Sequence, residues 1–376
     1  MKTVKIVIGL IVLLLIVWGI SLLVGNKGAV NETGPIKIGW IGPLTGDGAT
    51  LGQNAKDATM MAVEEINAGG GINGRQIEMI YEDGKCSGKD AANAASKLIN
   101  VDKVAAIFGG ACSAETLAFT NLAEQSKMPT LSWCSSAPSI TTAGDYIFRV
   151  VPSDAYQGAF AADYIFNSLG KKKVAILYQQ TEWASGIVGV FSGEFEKLGG
   201  QIVSNEGFDG KIRDFKTPLA KIKTVDPDLI YFVSYAEPAI PALKQIADMG
   251  IKTPLFGADA WSDPKILAEA KGNAEGIMFT GLAAHTNQAF SDKLQARTNG
   301  ATVSECSAPA YDGMNVLAAA LKVGGTNAEQ LKNALYQVDY KSGTAYDEIK
   351  LDQNGDLIGA QYAVRKIVDG EAVEVK

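Results

Sequence analysis

From Ile36 to Val233, apolar runs of strand length alternate with longer stretches whose apolar residues recur at helical spacing. Ile36–Ile41, Gln76–Glu82, Val104–Phe108 and Thr130–Ser132 read as strands, with helices over Leu51–Asn67, Lys89–Asn100 and Ala114–Gln125 between them. The rhythm resumes with helix Ala155–Leu169, strand Val174–Tyr178, helix Ile187–Leu198, strand Ile202–Glu206, helix Phe215–Lys223 and strand Leu229–Val233. Such alternation implies parallel sheets covered by helices on both faces, and the units are too many for one sheet. The expected fold is therefore α/β, with two doubly wound lobes of parallel sheet flanked by helices. A length of 376 residues accommodates two lobes and an accessory segment, at roughly 100–200 residues per domain.

The tail departs from this pattern. After helices near Ala308–Lys322 and Ala328–Val338, the segments Ile349–Leu351 and Gln361–Ile367 alternate as antiparallel strands around Asn354–Gly355, a two-residue hairpin signal. Asp352, Asn354 and Asp356 share the opening spacing of a calcium loop. That loop would need glycine where Leu357 stands and glutamate where Ala363 stands, so a hairpin is the better reading.

The amino terminus sets the compartment. Ile6–Val24 is almost wholly apolar, preceded by Lys2 and Lys5 and followed by Gly25, Asn26 and Lys27. About 19 residues at 1.5 Å rise give roughly 28 Å, close to the hydrocarbon thickness of a bilayer. The lysines keep the amino end inside and send the chain beyond Val24 outward. A cleaved signal usually has an apolar region of about 7–15 residues and small residues before the cut, so residues 6–24 are read as a retained anchor, with the cleaved signal as the competing reading. No cysteine precedes Cys86, which excludes a lipid anchor at a processed cysteine.

Composition removes several functions. The single histidine, His285, leaves little for metal clusters or histidine-based acid–base catalysis. Neither a Gly-x-Ser-x-Gly elbow nor a Lys-based Ser-x-x-Lys signature is present, so no catalytic residue, cofactor or metal is assigned. A net charge of −7 without a long basic block makes nucleic acid a poor partner. Lys171, Lys172 and Lys173 read as a solvated entry to the next strand. None of Cys86, Cys112, Cys134 and Cys306 falls in a Cys-x-x-Cys pair, which suits an oxidising compartment better than a metal site. Cys86 and Cys112 each follow a strand, and neighbouring parallel strands can bring them together as a disulfide. Cys134 and Cys306 are left as either a second bridge or buried free thiols.

Lys37–Pro43 followed by Gly46, and above all Ile66-Asn67-Ala68-Gly69-Gly70-Gly71-Ile72-Asn73-Gly74 after the first helix, closely resemble the leucine/isoleucine/valine-binding protein family, the type I periplasmic binding proteins. Further matches are Tyr81-Glu82-Asp83 with Cys86, Gly109–Ser113, Gly257-Ala258-Asp259 and Ala310-Tyr311-Asp312. A phosphate loop is the rival for the glycine run, but it lacks the Gly-Lys-Ser/Thr ending and precedes a strand. The resemblance implies three hinge crossovers, placed at Val151–Pro152, Gly281–Leu282 and Ser342–Gly343. Residues 1–34 then form the anchor or signal with its linker. Residues 35–151 and 282–342 form lobe one, and residues 152–281 and 343–376 form lobe two.

The same resemblance implies a ligand cleft between the lobes. Ser113, read as the cap of the following helix, maps onto a carboxylate-binding serine. Ser135 and Ser136 match the family loop that holds the ligand's carboxylate and ammonium, Asp259 matches an acid on the ammonium, and Tyr235 matches a tyrosine at the same end. Taken without the family, a serine at a helix start is usually a cap, an aspartate after a strand a turn residue, and a tyrosine there a packed rim. Leu51 replaces a common aromatic, and Trp183 replaces a covering tyrosine and is read as a lid. Trp133 and Trp261 also neighbour the expected binding loops. The implied function is that of an extracytoplasmic solute-binding protein of an ABC importer. It would bind a branched-chain or other hydrophobic amino acid by hinge closure, act as a monomer, and partner a permease with its ATPases. The alternatives are a membrane-tethered sensor, or a binding protein for amide, urea-like or aromatic-acid solutes.

Overall fold

The computed structural model describes residues 34–46, 48–269, 272–283, 287–300 and 303–375. The apolar run Ile6–Val24 and His285 lie outside the described residues, among which no helix is long and apolar enough to cross a membrane. Ile36–Lys376 forms a unit distinct from Met1–Pro35, and it holds every element found among the described residues.

Lobe one is built on strands β1 (Ile36–Gly42), β2 (Ile77–Asp83), β3 (Ala106–Gly109), β4 (Thr130–Ser132) and β5 (Ile147–Arg149). They form one parallel sheet in the order β2-β1-β3-β4-β5. Helices α1 (Ala49–Ala68), α2 (Gly88–Lys97) and α3 (Ser113–Gln125) connect the first four strands. The glycine run after α1 is sterically required: Gly71 has φ +74°, and a Cβ there would sit 2.1 Å from the Arg75 carbonyl oxygen. Ile72 and Arg75 close the turn by exchanging two backbone hydrogen bonds.

Lobe two repeats the plan. The chain runs through α4 (Asp154–Asp163), β6 (Lys173–Gln179), α5 (Glu182–Lys197), β7 (Gln201–Phe208), α6 (Lys216–Thr224), β8 (Leu229–Val233), α7 (Ala236–Asp248), β9 (Leu255–Gly257), α8 (Pro264–Glu269) and β10 (Met278–Leu282). Strands β13 (Tyr362–Val368) and β14 (Glu371–Glu374) then extend the sheet, whose order is β14-β13-β10-β9-β8-β6-β7. The core of this sheet is parallel, and β13 and β14 are antiparallel additions. Every residue of β8 is buried, as expected of a strand covered on both faces. Between the two passes through lobe two, α9 (Gln288–Arg297), α10 (Ser307–Gly324), α11 (Ala328–Tyr336) and a small sheet of β11 (Asp339–Lys341) and β12 (Glu348–Lys350) return to lobe one.

The crossovers meet in one small apolar cluster of Val151, Leu282 and Tyr362. The third is thus displaced from Ser342–Gly343, because Ala345, Tyr346, Ile349, Leu351 and Leu357 pack in lobe one's core and hold the chain there until Tyr362. The expected hairpin is also corrected. Asn354–Gly355 is a tight turn closed by a single bridge between Leu351 and Leu357, after which the strands part: β12 pairs with β11, and β13 with β10 and β14. The turn docks on the edge of β5 instead. The Arg149 amide donates to the Gly355 carbonyl at 2.9 Å, and the wholly buried Arg149 guanidinium makes a two-pronged pair with Asp356 at 2.7 and 2.8 Å.

Candidate ligand-binding cleft

In each lobe the strand order reverses direction at one point, between β1 and β3 and again between β6 and β8. Loops leaving the carboxyl ends of strands beside such a point open a crevice. Here the loops after β1, β3 and β4 face those after β6, β8 and β9 around a cavity of about 240 Å³. This lies below the roughly 300–1,000 Å³ of pockets for drug-sized molecules, so its guest is small.

Lobe one presents hydrogen-bond donors. Helix α3 begins at Ser113 on the cavity wall; its first bond runs from the Glu115 amide to the Cys112 carbonyl at 2.8 Å, and the preceding amides of Ser113 and Ala114 make this end a receptor for negative charge. Ser113 is not the cap that the sequence suggested. Cys112 occupies that position, and the Glu115 carboxylate accepts from the amides of Ala111, Cys112 and Cys86 at 2.9, 3.0 and 3.0 Å. Burial pushes the Glu115 carboxyl up to about 7. The Ser113 hydroxyl instead accepts from the Ala137 amide at 3.1 Å, tying two cleft loops together.

Ser136 lines the cavity, and its carbonyl accepts from Arg149 at 2.9 Å. Ser135 does not line it. Its hydroxyl is turned inward, 2.7 Å from Thr116 Oγ1 and 3.0 Å from the Gly110 carbonyl, so it braces the loop from behind.

Lobe two presents an acid and an aromatic wall. Asp259, in the short turn after β9, lines the cavity, and its buried Oδ1 meets no hydrogen-bond partner among the described residues. Burial, with Asp154 and Glu305 nearby, holds its carboxyl well above the usual carboxylate range. Asp154, at the start of α4, is wholly buried and also raised by burial, against the pull of the Ser136 hydroxyl and Arg149; its Oδ2 is likewise unpartnered. Tyr235 and Trp183 stack on the wall with ring centres 4.6 Å apart and planes 17° from parallel. Trp183 is placed by the first turn of α5, where the Thr181 hydroxyl caps the Ala184 amide at 3.1 Å. Gln179 accepts from the Tyr235 amide at 3.1 Å and so joins the loops after β6 and β8.

The cavity thus brings together Ser113, Ser136, Trp183, Tyr235 and Asp259, with Leu51 beside them. Trp133 and Trp261 are both fully buried in the lobes, Trp133 stacked on Trp40 and Trp261 bonded to the Phe232 carbonyl. All four cysteines line the cleft and are paired, Cys86 with Cys112 and Cys134 with Cys306, with Cα separations of 5.2 and 5.7 Å. The second bridge resolves the alternative left open by the sequence.

Sequence reasoning missed Gln179, Thr181, Ser262 and Glu305. Thr181 carried a usable signal, a capping hydroxyl between a strand and a helix. Nothing local marked Glu305, which precedes Cys306 in a segment without periodic pattern.

Comparison with known proteins gives the same picture. The family described as periplasmic binding protein matches residues 35–371. A leucine-, isoleucine-, valine-, threonine- and alanine-binding protein of Pseudomonas aeruginosa is 29% identical over 338 residues, covering 88% of this chain and 89% of that protein. The branched-chain amino acid transporter substrate binding protein of Streptococcus pneumoniae, solved with isoleucine, superposes with a TM-score of 0.81 at 28% identity, covering 91% of this chain and 100% of its own. An ABC transporter solute binding protein of Rhodopseudomonas palustris, solved with 3,4-dihydroxybenzoic acid, does so at 0.80 and 26% identity, covering 91% and 96%.

Proposed function

This chain belongs to the periplasmic binding protein family, and from that premise we propose that it captures a hydrophobic α-amino acid in the interlobe cleft for an ABC importer. Members of the family bind solutes rather than transform them, so the protein is not an enzyme, and membership puts the folded body outside the cytoplasm. In the proposed mechanism the ligand's carboxylate first meets Ser113, Ser136 and the opening amides of α3 on lobe one. Hinge closure then brings Tyr235 and Asp259 onto its ammonium. Excluding water strengthens both contacts. Residues 6–24 hold the protein at the membrane in this reading, where a permease and its ATPases receive the closed, monomeric form.

The observation that carries the reading is the unpartnered Oδ1 of Asp259, sharing one small cavity with the helix amino terminus at Ser113. A buried carboxylate without a partner is costly, and a guest carrying an ammonium and a carboxylate satisfies both walls at once. A thermal-shift screen of the twenty amino acids together with benzoate and hydroxybenzoates tests it. At about 100 times its dissociation constant a true ligand adds roughly 2.7 kcal/mol of stability. Leucine, isoleucine, valine or an aromatic amino acid should stabilise. Stabilisation only by acids lacking an ammonium would overturn the reading in favour of an aromatic-acid ligand. The stacked Trp183–Tyr235 wall is the feature that favours this alternative.

A further inference from the structure

Glu305 is a lobe-one residue that lines the cleft yet spends both carboxylate oxygens on other parts of the molecule. It lies between α9 and α10, whose Phe290, Leu294 and Met314 belong to lobe one's core. Oε1 accepts from the backbone amide of Leu282 at 2.6 Å, and Oε2 accepts from the Ser262 hydroxyl at 2.5 Å. Leu282 is the second crossover itself, packed against Val151 and Tyr362 of the other two, and its carbonyl accepts from Arg365 at 2.9 Å. Ser262 ends the short lobe-two turn that begins with Asp259. One side chain therefore joins lobe one to the hinge and to the turn that presents the cleft's unpartnered acid.

The contact can also be released. A hydroxyl carries one proton to donate, and Ser262 Oγ lies within reach of two acceptors, Glu305 Oε2 and the Asp259 carbonyl at 2.8 Å. When the lobes part, Ser262 keeps a partner inside its own turn and Glu305 takes water, so neither is left unsatisfied. The segment carrying Glu305 is meanwhile fixed: Cys306 is bonded to Cys134, which lies between Ser132 and Ser136 in the lobe-one loop that lines the same cavity.

We propose that Glu305 is a positioning residue that latches the closed cleft, gripping Ser262 and the second crossover so that Asp259 stays over the bound ligand, in register with the loop to which the Cys134–Cys306 bond ties it. This rests on the proposed amino-acid ligand. The latch sets how long a ligand is held. Arrival on lobe one precedes it.

The test combines stopped-flow binding of L-leucine and L-isoleucine with small-angle scattering of the ligand-free protein, for wild type, Ser262→Ala, Ser262→Thr and Glu305→Gln. A charge-assisted hydrogen bond of this kind should change the dissociation rate roughly tenfold when lost. Ser262→Ala and Glu305→Gln should dissociate faster by about that factor with association within about twofold of wild type, and Ser262→Thr, which keeps the hydroxyl, should restore the slow rate. Without ligand, Ser262→Ala and Glu305→Gln should scatter as a more expanded population than wild type and Ser262→Thr. If neither amino acid binds wild type, the ligand reading fails, and the ligand-free scattering still decides the latch. Unchanged dissociation and scattering in Ser262→Ala, or an effect on association alone, would overturn it. If Glu305→Gln does not fold, the Ser262 pair carries the comparison by itself.

Discussion

Replacing Asp259 by asparagine should move resting stability and ligand affinity in opposite directions. The Asp259 Oδ1 is buried without a hydrogen-bond partner among the described residues, and its carboxyl is raised by burial beside Asp154 and Glu305 against the pull of Gln157 and the Ala260 amide. An unsatisfied buried polar group costs about 1–3 kcal/mol, more when charged, and an amide of the same shape removes the charge. The ligand-free variant should therefore be more stable than wild type by about 1–3 kcal/mol at neutral pH. Binding loses the counter-charge to the ammonium. Breaking a buried ion pair by removing one partner costs about 3–5 kcal/mol, or roughly two to three and a half orders of magnitude in dissociation constant. The pH dependence has a definite sign. A carboxyl raised in the folded state binds more protons there than in the unfolded chain, so its contribution is fully present below the unfolded value of 3.8 and is lost as pH rises through the folded value. Wild type without ligand should lose stability as pH climbs from about 4 toward neutrality, and Asp259→Asn should lose part of that slope. Urea unfolding followed by circular dichroism at several pH values, with titration calorimetry of the strongest ligand, measures all three effects. A variant that is less stable when empty and retains affinity within about tenfold would refute the idea that this acid waits for a cation.

Packing, charge pairing and cross-linking elsewhere in the molecule make three further outcomes measurable. Gly186 of α5 packs so closely on lobe one that a Cβ there would sit 2.6 Å from Pro138 Cδ; Gly186→Val should weaken ligand binding at least about tenfold by calorimetry while leaving the ligand-free circular dichroism spectrum intact, and unchanged affinity would show that closure does not bring these surfaces together. Arg149→Met strands the Asp356 carboxylate beside a buried apolar group and should cost about 3–5 kcal/mol in urea unfolding, with a cost below about 1 kcal/mol contradicting the pairing. Removing the Cys86–Cys112 bond by a double serine substitution opens a loop of 26 residues, and the chain-entropy model gives a loss of about 3.5 kcal/mol; reductant should then have less effect on the variant's unfolding midpoint than on that of wild type.

The parallel framework could be read because a strand buried on both faces must be apolar throughout, as in β8, while each covering helix must be amphipathic. Helix α7 escaped that reading because Pro238 and Pro241 punctuate it. Pro238 lies in the first turn, where its missing amide hydrogen costs nothing, and Pro241 is tolerated farther in. Strand β5 is three residues long, too short for a period to show. The Asn354–Gly355 signal correctly marked a turn but not its use. Gly355 approaches β5 so closely that a Cβ would meet the Ile147 carbonyl oxygen at 2.4 Å, and Arg149, distant in sequence, decides where the turn docks. At the site, residues standing just after strands or at helix starts could be located from the sequence together with the resemblance, which covers Ser113, Tyr235 and Asp259. Ser135 and Ser136 were indistinguishable on paper, since which of two adjacent hydroxyls faces a cavity depends on a backbone turn. Glu305 was invisible because its partners, Leu282 and Ser262, lie in other segments of the chain.

The distribution of constraint between the lobes argues for the order of events in binding. Both disulfides end on the lobe-one side of the cleft, and the Arg149–Asp356 pair holds the Ser136 loop from behind. The donors that would meet a carboxylate are thus fixed before a guest arrives, so little ordering entropy remains to be lost on first contact. The acid on lobe two is the reverse case. Its Oδ1 has no partner among the described residues, and although Gln157 and the Ala260 amide favour its charge, burial and the like charges of Asp154 and Glu305 outweigh them. Closure around nothing brings that acid into a drier environment without a counter-charge, whereas closure around a dipolar guest supplies the charge in the same movement. The difference between those two closed states is the differential affinity a ligand needs in order to shift a hinge equilibrium. A guest lacking the ammonium could land on lobe one but would leave the closing step opposed.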